Sequence, residues 1–188
     1  MQRAQADLLG VELTDQAWFV GGPAESSDLV LVPGAAWPEK RWPCESFAAL
    51  AKLVSESRRV RVLYSQADGL PVENLDWGAA ELVGDLDLSG CINLLSRSEL
   101  VISNDTGFAH IAEGLGVPTR VFIGPTDQRL GAAPQSDFDQ AKPLHLGLDC
   151  QPCSQKGDRL CHVGGRPCLT GWSAQMLADL LKETKSWR

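Results

Sequence analysis

The chain has 188 residues, 44% apolar and 22% charged, an ordinary globular balance with room for one substantial core. Its 17 basic and 24 acidic residues give a formal net charge of -7, the wrong sign for a nucleic-acid binder that relies on clustered Lys and Arg. No apolar run approaches the ~20 residues needed to cross a bilayer, so no transmembrane segment is expected. The opening stretch MQRAQADLLGVELTDQ is mixed and acidic, unlike a secretory leader, so a cytoplasmic protein is expected.

Residues 1–27 read as a lead-in segment, with a short helical look at Ala4, Leu8, Leu9 and Val11 before Gly21-Gly22-Pro23. Regular organisation begins at Asp28, and residues 28–188 read as one domain. Leu29-Val30-Leu31-Val32, stopped by Pro33-Gly34, predicts a buried strand. Phe47, Leu50, Ala51 and Val54 then recur at helical spacing. Val60–Tyr64 predicts the next strand, residues 73–80 a short helix, and Glu81-Leu82-Val83 a third strand. Ile92, Leu94 and Leu95 suggest a helix running into the strand Leu100-Val101-Ile102-Ser103. A further helix carries Ala109, Ile111, Ala112 and Leu115, ends at Gly116, and is followed by a strand over residues 119–123. Strands alternating with helices imply an α/β fold: a Rossmann-like parallel sheet with helices on both faces. Beyond Leu130 the pattern dissolves until a final amphipathic helix with Ala174, Leu177, Leu180 and Leu181.

In open parallel sheets, ligands sit beyond the carboxyl ends of strands. Three loops leave such ends. Gly34, Ala35 and Ala36 would let backbone approach a ligand closely, and Lys40, beside Arg41, would neutralise a phosphate. A surface loop with a solvated Lys-Arg pair explains the same residues. In Asn104-Asp105-Thr106-Gly107-Phe108-Ala109-His110, Asp105 or Thr106 suits a helix N-cap, and that alone is a sufficient structural role. The amides around Thr106 and Gly107 nevertheless point out of a helix end, ready for phosphate or ribose oxygens, with His110 one turn further on. Gly124-Pro125-Thr126-Asp127 is a turn from which no chemistry follows by itself. No Walker-type loop, dinucleotide fingerprint or G-x-S-x-G element occurs.

Among the six cysteines, Cys44 and Cys91 stand alone in apolar segments and read as buried structural thiols. Cys150, Cys153, Cys161 and Cys168 crowd into an excursion over residues 149–169. Four thiolates, two of them in a C-x2-C pair, suit a structural tetrahedral site for Zn or Fe. Reduced thiols in a compact loop, or a disulfide, fit the same spacing, and His162 is a weaker ligand candidate than its neighbour Cys161.

Taken in order, PGAAWPEKRWPCESFAALAKLV, LVISNDTGFAHIAEGLGVP and VFIGPTD resemble glycosyltransferase family 9, the ADP-heptose:lipopolysaccharide heptosyltransferases. The resemblance runs from about Val11 onward but covers only the C-terminal, donor-binding half of that family's GT-B architecture. It implies an ADP-sugar donor, with ADP-heptose expected, and a lipopolysaccharide-core acceptor reached through an N-terminal domain that also holds the general base. It implies no catalytic metal, and a position in the cytoplasm or peripherally at the inner face of the inner membrane. By the same resemblance Lys40 contacts the diphosphate, while Asp105, Thr106, Gly107 and His110 hold phosphate and sugar. Ala35 and Ala36 replace hydroxyl residues common in the family, and Asp68 stands in for its ribose-binding acidic residue. Many relatives carry cysteines near the last helix. An acceptor hydroxyl must be deprotonated and aligned for transfer, so a donor half alone is expected to bind donor but transfer poorly. Two other readings stay open: a domain like a nucleotide-sugar epimerase, and a non-catalytic binding or assembly module. Arg120, Arg129, Trp37 and Trp42 are further candidates for shaping selectivity; Trp42 is expected to pack at the helix start and Trp37 to be exposed.

Overall fold

The computed structural model describes residues 28–132 and 141–183; the expected lead-in 1–27 lies outside the described residues. Six strands form one parallel sheet: β1 (Leu29–Val32), β2 (Val60–Tyr64), β3 (Glu81–Gly84), β4 (Leu100–Asn104), β5 (Thr119–Phe122) and β6 (Ala141–Leu144). Their spatial order is β3-β2-β1-β4-β5-β6, the doubly wound arrangement in which the chain reverses its direction of travel between β1 and β4. Helix α1 (Cys44–Val54) connects β1 to β2, α2 (Leu88–Ser96) connects β3 to β4, and α3 (Gly107–Gly114) connects β4 to β5. A short helix α4 (Pro167–Thr170) and the terminal α5 (Ala174–Glu183) follow β6.

Side-chain alternation along the strands explains the layers. Leu29 and Leu31 point to one face, where Phe47, Leu50, Ala51 and Val54 of α1 meet Leu177 and Ala178 of α5. Val30 and Val32 point to the other, against Cys91, Leu94 and Leu95 of α2 and Ala112 of α3. The first face has an aromatic centre: Trp42 stacks on Phe122 at 4.5 Å between ring centroids and meets Phe47 edge-on at 4.8 Å. At the opposite end of the sheet from the cleft described below, Arg61 reaches Asp28 (3.2 Å) and Glu81 (3.2 Å), clipping β1, β2 and β3 together.

Two elements differ from the sequence reading. Residues 73–80 form no α-helix, only a 3-10 turn over Val72–Asn74. The buried Trp77 indole N–H donates to the Val72 carbonyl (2.7 Å), occupying an acceptor that a helix would need. Gly78 then takes φ +64, which no helix permits. The strand β6 was not legible, because Ala-Lys-Pro-Leu lacks β-branched residues and carries a proline that only an edge strand tolerates.

Asn104, fully buried at the end of β4, is the central fastener. Its Oδ1 accepts from Trp42 N–H (2.8 Å) and its Nδ2 donates to the Pro33 carbonyl (2.8 Å). One amide thus joins β4 to both ends of the loop between β1 and α1. Asn104→Ala leaves a buried donor and a buried acceptor unpaired and is expected to destabilise by about 2–4 kcal/mol in urea unfolding. Burial also raises the Cys44 thiol at the start of α1 from 9.0 to about 11, with Glu45 adding to the rise. The folded chain therefore keeps this proton where the unfolded chain has lost it. Stability should fall as pH climbs from 9 to 11, and the fall should be shallower in Cys44→Ala.

Candidate functional site

The reversal between β1 and β4 sends their following loops in opposite directions and opens a crevice beyond the strand ends. Here it is a cleft of about 340 Å³, large enough for part of a small-molecule ligand. Its walls come from four places: Ala36, Trp37 and Lys40 after β1; Asp105, Thr106, Gly107 and His110 after β4; Thr126 and residues 130–132 after β5; and Gln155 and Lys156 from the cysteine-bearing excursion.

Proline organises the first wall. Pro38 opens a 3-10 turn, Pro38–Lys40, with Glu39 and Lys40 directed to different partners. The Lys40 ammonium forms an ion pair with Asp105 across the cleft; the two side chains are 16% and 4% exposed. Asp105 Oδ2 also accepts from the Thr126 hydroxyl at 3.2 Å. Thr126 is itself buried, so three loops converge on one carboxylate oxygen.

Thr106, rather than Asp105, caps α3: its hydroxyl oxygen accepts from Phe108 N–H at 3.1 Å. Asp105 is thereby released from capping and turned into the cleft. A side chain added at Gly107 would meet nothing within 4 Å, so the start of the helix borders open space. Contrary to the sequence expectation of several free amides, Phe108 N–H is taken by the cap and the Ala109 and His110 N–H groups by the Thr106 carbonyl. Such an end still attracts anions through the helix dipole. His110 is 41% exposed on the cleft side, with Nδ1 at 3.8 Å from Glu113 Oε2.

Arg41 braces the floor. Its Nε and Nη2 donate to the Ala35 carbonyl (2.9 and 2.7 Å) and its Nη1 to the Asp68 carbonyl (3.0 Å), joining the loops after β1 and β2. Gly34 lets the Asp68 carboxylate lie close to this loop: a Cβ at that position would stand 2.9 Å from the Asp68 carboxyl carbon and displace it.

A model of glycosyltransferase family 9 (heptosyltransferase) matches residues 3–163. The chain belongs to this family. Lipopolysaccharide heptosyltransferase 1 of Pseudomonas aeruginosa is 33% identical over 134 residues, which cover 68% of this chain and 36% of that one. Among solved structures, the family 9 glycosyltransferase of Veillonella parvula superposes with a TM-score of 0.67 at 21% identity, over 97% of this chain and 50% of that chain. The iron-containing dodecameric heptosyltransferase TibC, solved with ADP-D-beta-D-heptose, gives 0.66 at 16% identity, over 99% and 53%. The chain thus spans a third to a half of the length of these relatives, and its fold is that of one Rossmann-like half of a GT-B glycosyltransferase.

Within this family fold, the sequence-expected residues separate into two groups. Lys40, Asp105, Thr106, Gly107 and His110 share the cleft. Gly34, Ala35 and Asp68 do not line it; they form the braced floor, with the Ala35 carbonyl already occupied by Arg41. Of the selectivity candidates, Trp37 lines the cleft at 42% exposure, whereas Trp42 is buried at the start of α1, Arg120 lies on β5 and Arg129 pairs with Asp127 at the surface. Thr126 gave no signal of its own beyond the turn, and Gln155 and Lys156 gave none.

All four cysteines of the excursion are free thiols. Burial raises the Cys168 thiol to about 11 and raises that of Cys153, and in both the neighbouring cysteines add to the rise, so the four sulfurs lie near one another. Among the described residues, however, no group of three or more His, Cys, Asp or Glu side chains stands in metal-ligating geometry. Cys168 packs in the core at the start of α4, and the Cys161 thiol points to the Gly164 carbonyl at 3.7 Å. The tetrahedral site expected from Cys150, Cys153, Cys161 and Cys168 is therefore not formed among the described residues.

The brace is testable. Arg41→Ala should cost about 1–3 kcal/mol in thermal or urea unfolding, and Arg41→Lys should restore little of it, because an ammonium cannot span both carbonyls.

Proposed function

We propose that the cleft binds the diphosphate of an ADP-sugar, with ADP-heptose as the expected donor. On this reading the described residues act as the donor half of a heptosyltransferase in lipopolysaccharide core synthesis. The observation that carries the reading is the Lys40–Asp105 ion pair set at the amino end of α3, inside the crevice at the sheet's reversal point. A diphosphate placed there would meet the positive end of the α3 dipole on one side and an ammonium on the other. Family membership supports the reaction class, and the ADP-D-beta-D-heptose bound by TibC supports the nucleotide.

The chemistry follows from where charge develops. As an acceptor hydroxyl attacks the anomeric carbon, the bond from that carbon to the diphosphate oxygen breaks and ADP leaves with added negative charge. Lys40 and the positive end of the α3 dipole are positioned to stabilise that charge, a task that other enzymes give to a metal ion. Asp105 is engaged with Lys40 and Thr126, so it is a poor choice to take the hydroxyl proton. The base is assigned to a facing domain that also receives the acceptor. An acceptor of this kind would bring the enzyme to the inner face of the inner membrane; no described helix is long and apolar enough to cross it.

Calorimetric titration with ADP and UDP tests the reading. The chain should bind ADP in preference to UDP, and Lys40→Ala should weaken ADP by about tenfold or more, the worth of one charge-assisted hydrogen bond. Negligible heat with every nucleotide would remove the donor-site assignment.

A further inference from the structure

The cysteine-bearing excursion is built into the cleft wall, and its role there need not involve the thiols at all. Cys153 N–H and Ser154 N–H both donate to the Pro125 carbonyl at 3.0 Å, and Gln151 Nε2 donates to the Gly124 carbonyl at 2.6 Å. The segment is thereby fixed to the end of β5. Buried Ser154 shapes the next turn: its hydroxyl donates to Asp158 Oδ1 (2.8 Å) and accepts from Gly157 N–H (2.9 Å) and Lys156 N–H (3.3 Å). Gly157, at φ +81, lies against the stem of Lys40, where a Cβ would stand 2.8 Å from Lys40 Cδ and 3.4 Å from Trp37 Cβ. Beyond the turn, Cys161 N–H donates to Glu39 Oε2 (3.1 Å), and Arg166 Nη1 donates to the Pro38 (2.7 Å) and Arg41 (3.1 Å) carbonyls. The excursion therefore grips the Pro38–Lys40 turn at both ends and presents Lys156 to the same cleft, beside Lys40.

The charge balance of the cleft gives that placement a purpose. Lys40 is matched by Asp105, so the pair adds little net positive charge for an incoming anion. A diphosphodiester brings two negative charges, and the α3 amino end offers roughly half of one positive charge. The Lys156 ammonium also lines the cleft; Asp158 in the same turn feels its charge, but the Asp158 carboxylate is held by the Ser154 hydroxyl (2.8 Å). We propose that Lys156 is a second phosphate-binding cation, delivered by the cysteine-bearing excursion, and that it holds the donor's diphosphate together with Lys40. This inference rests on the donor-site reading above.

The test uses ADP titrations of the full chain at several salt concentrations, with Lys40→Ala, Lys156→Ala and Lys156→Arg. Lys156→Ala should lose about five- to tenfold in ADP affinity and show a weaker dependence on salt, because one screened cation has been removed. Lys156→Arg should restore both. Wild-type affinity and salt dependence in Lys156→Ala, alongside a loss in Lys40→Ala, would overturn the inference and leave the donor site standing. A loss in Lys156→Ala that Lys156→Arg shares in full would also overturn it, by assigning Lys156 a packing role. If the unmodified chain binds no ADP, the donor-site reading fails and this inference with it.

Discussion

The arrangement depends on one buried amide. Asn104 closes the carboxyl end of β4, and its two hydrogen bonds set both ends of the loop that carries Lys40. Without them, Pro33 and Trp42 would present an unpaired carbonyl and N–H to the interior, a penalty that few loops could absorb. Asn104 also directly precedes Asp105. The residue that anchors the loop after β1 is therefore covalently next to the carboxylate that receives the lysine from that loop. Strand, loop and ion pair are set in register by a single side chain.

A second layer of restraint comes from side-chain and loop-amide donors to backbone carbonyls. Arg41 joins the loops after β1 and β2, Gln151 and the 153–154 amides hold the excursion to β5, and Arg166 returns to the Pro38–Arg41 stretch. None of these is a regular ladder bond. The strands are only four or five residues long, so the sheet by itself cannot order loops of this length. Long polar side chains do that work, and they concentrate at the end of the sheet that carries the cleft.

Much of this was legible in the residues. Alternating apolar runs and helical repeats located β1 to β5 and the main helices, because each has a strong period of its own. The motif around Asn104–His110 and the lysine after Pro38 pointed to one shared site, and these residues do share it. The misses have physical causes. Trp77 overrode a helical pattern by taking the Val72 carbonyl, and β6 is a proline-bearing edge whose pairing comes from its neighbour rather than its own composition. Asp68 and Ala35 lie close to the site in sequence logic, yet their roles as floor follow from an Arg41 bond pattern that no local motif encodes. Lys156 carried no signal because a lysine in a loop has no period, and only the packing of its neighbour Gly157 against Lys40 brings it to the cleft.

The shared oxygen of Asp105 has one more consequence. It already holds the ammonium of Lys40, with Thr126 as a second donor, before any ligand arrives. An anion entering the cleft must compete for that ammonium, so part of its attraction is spent in an exchange of partners. The same competition works in reverse: when the anion departs, the carboxylate is in place to recapture the cation. On the donor-site reading proposed above, such a site would trade tightness for turnover, and favour rapid release of a spent nucleotide over prolonged occupancy.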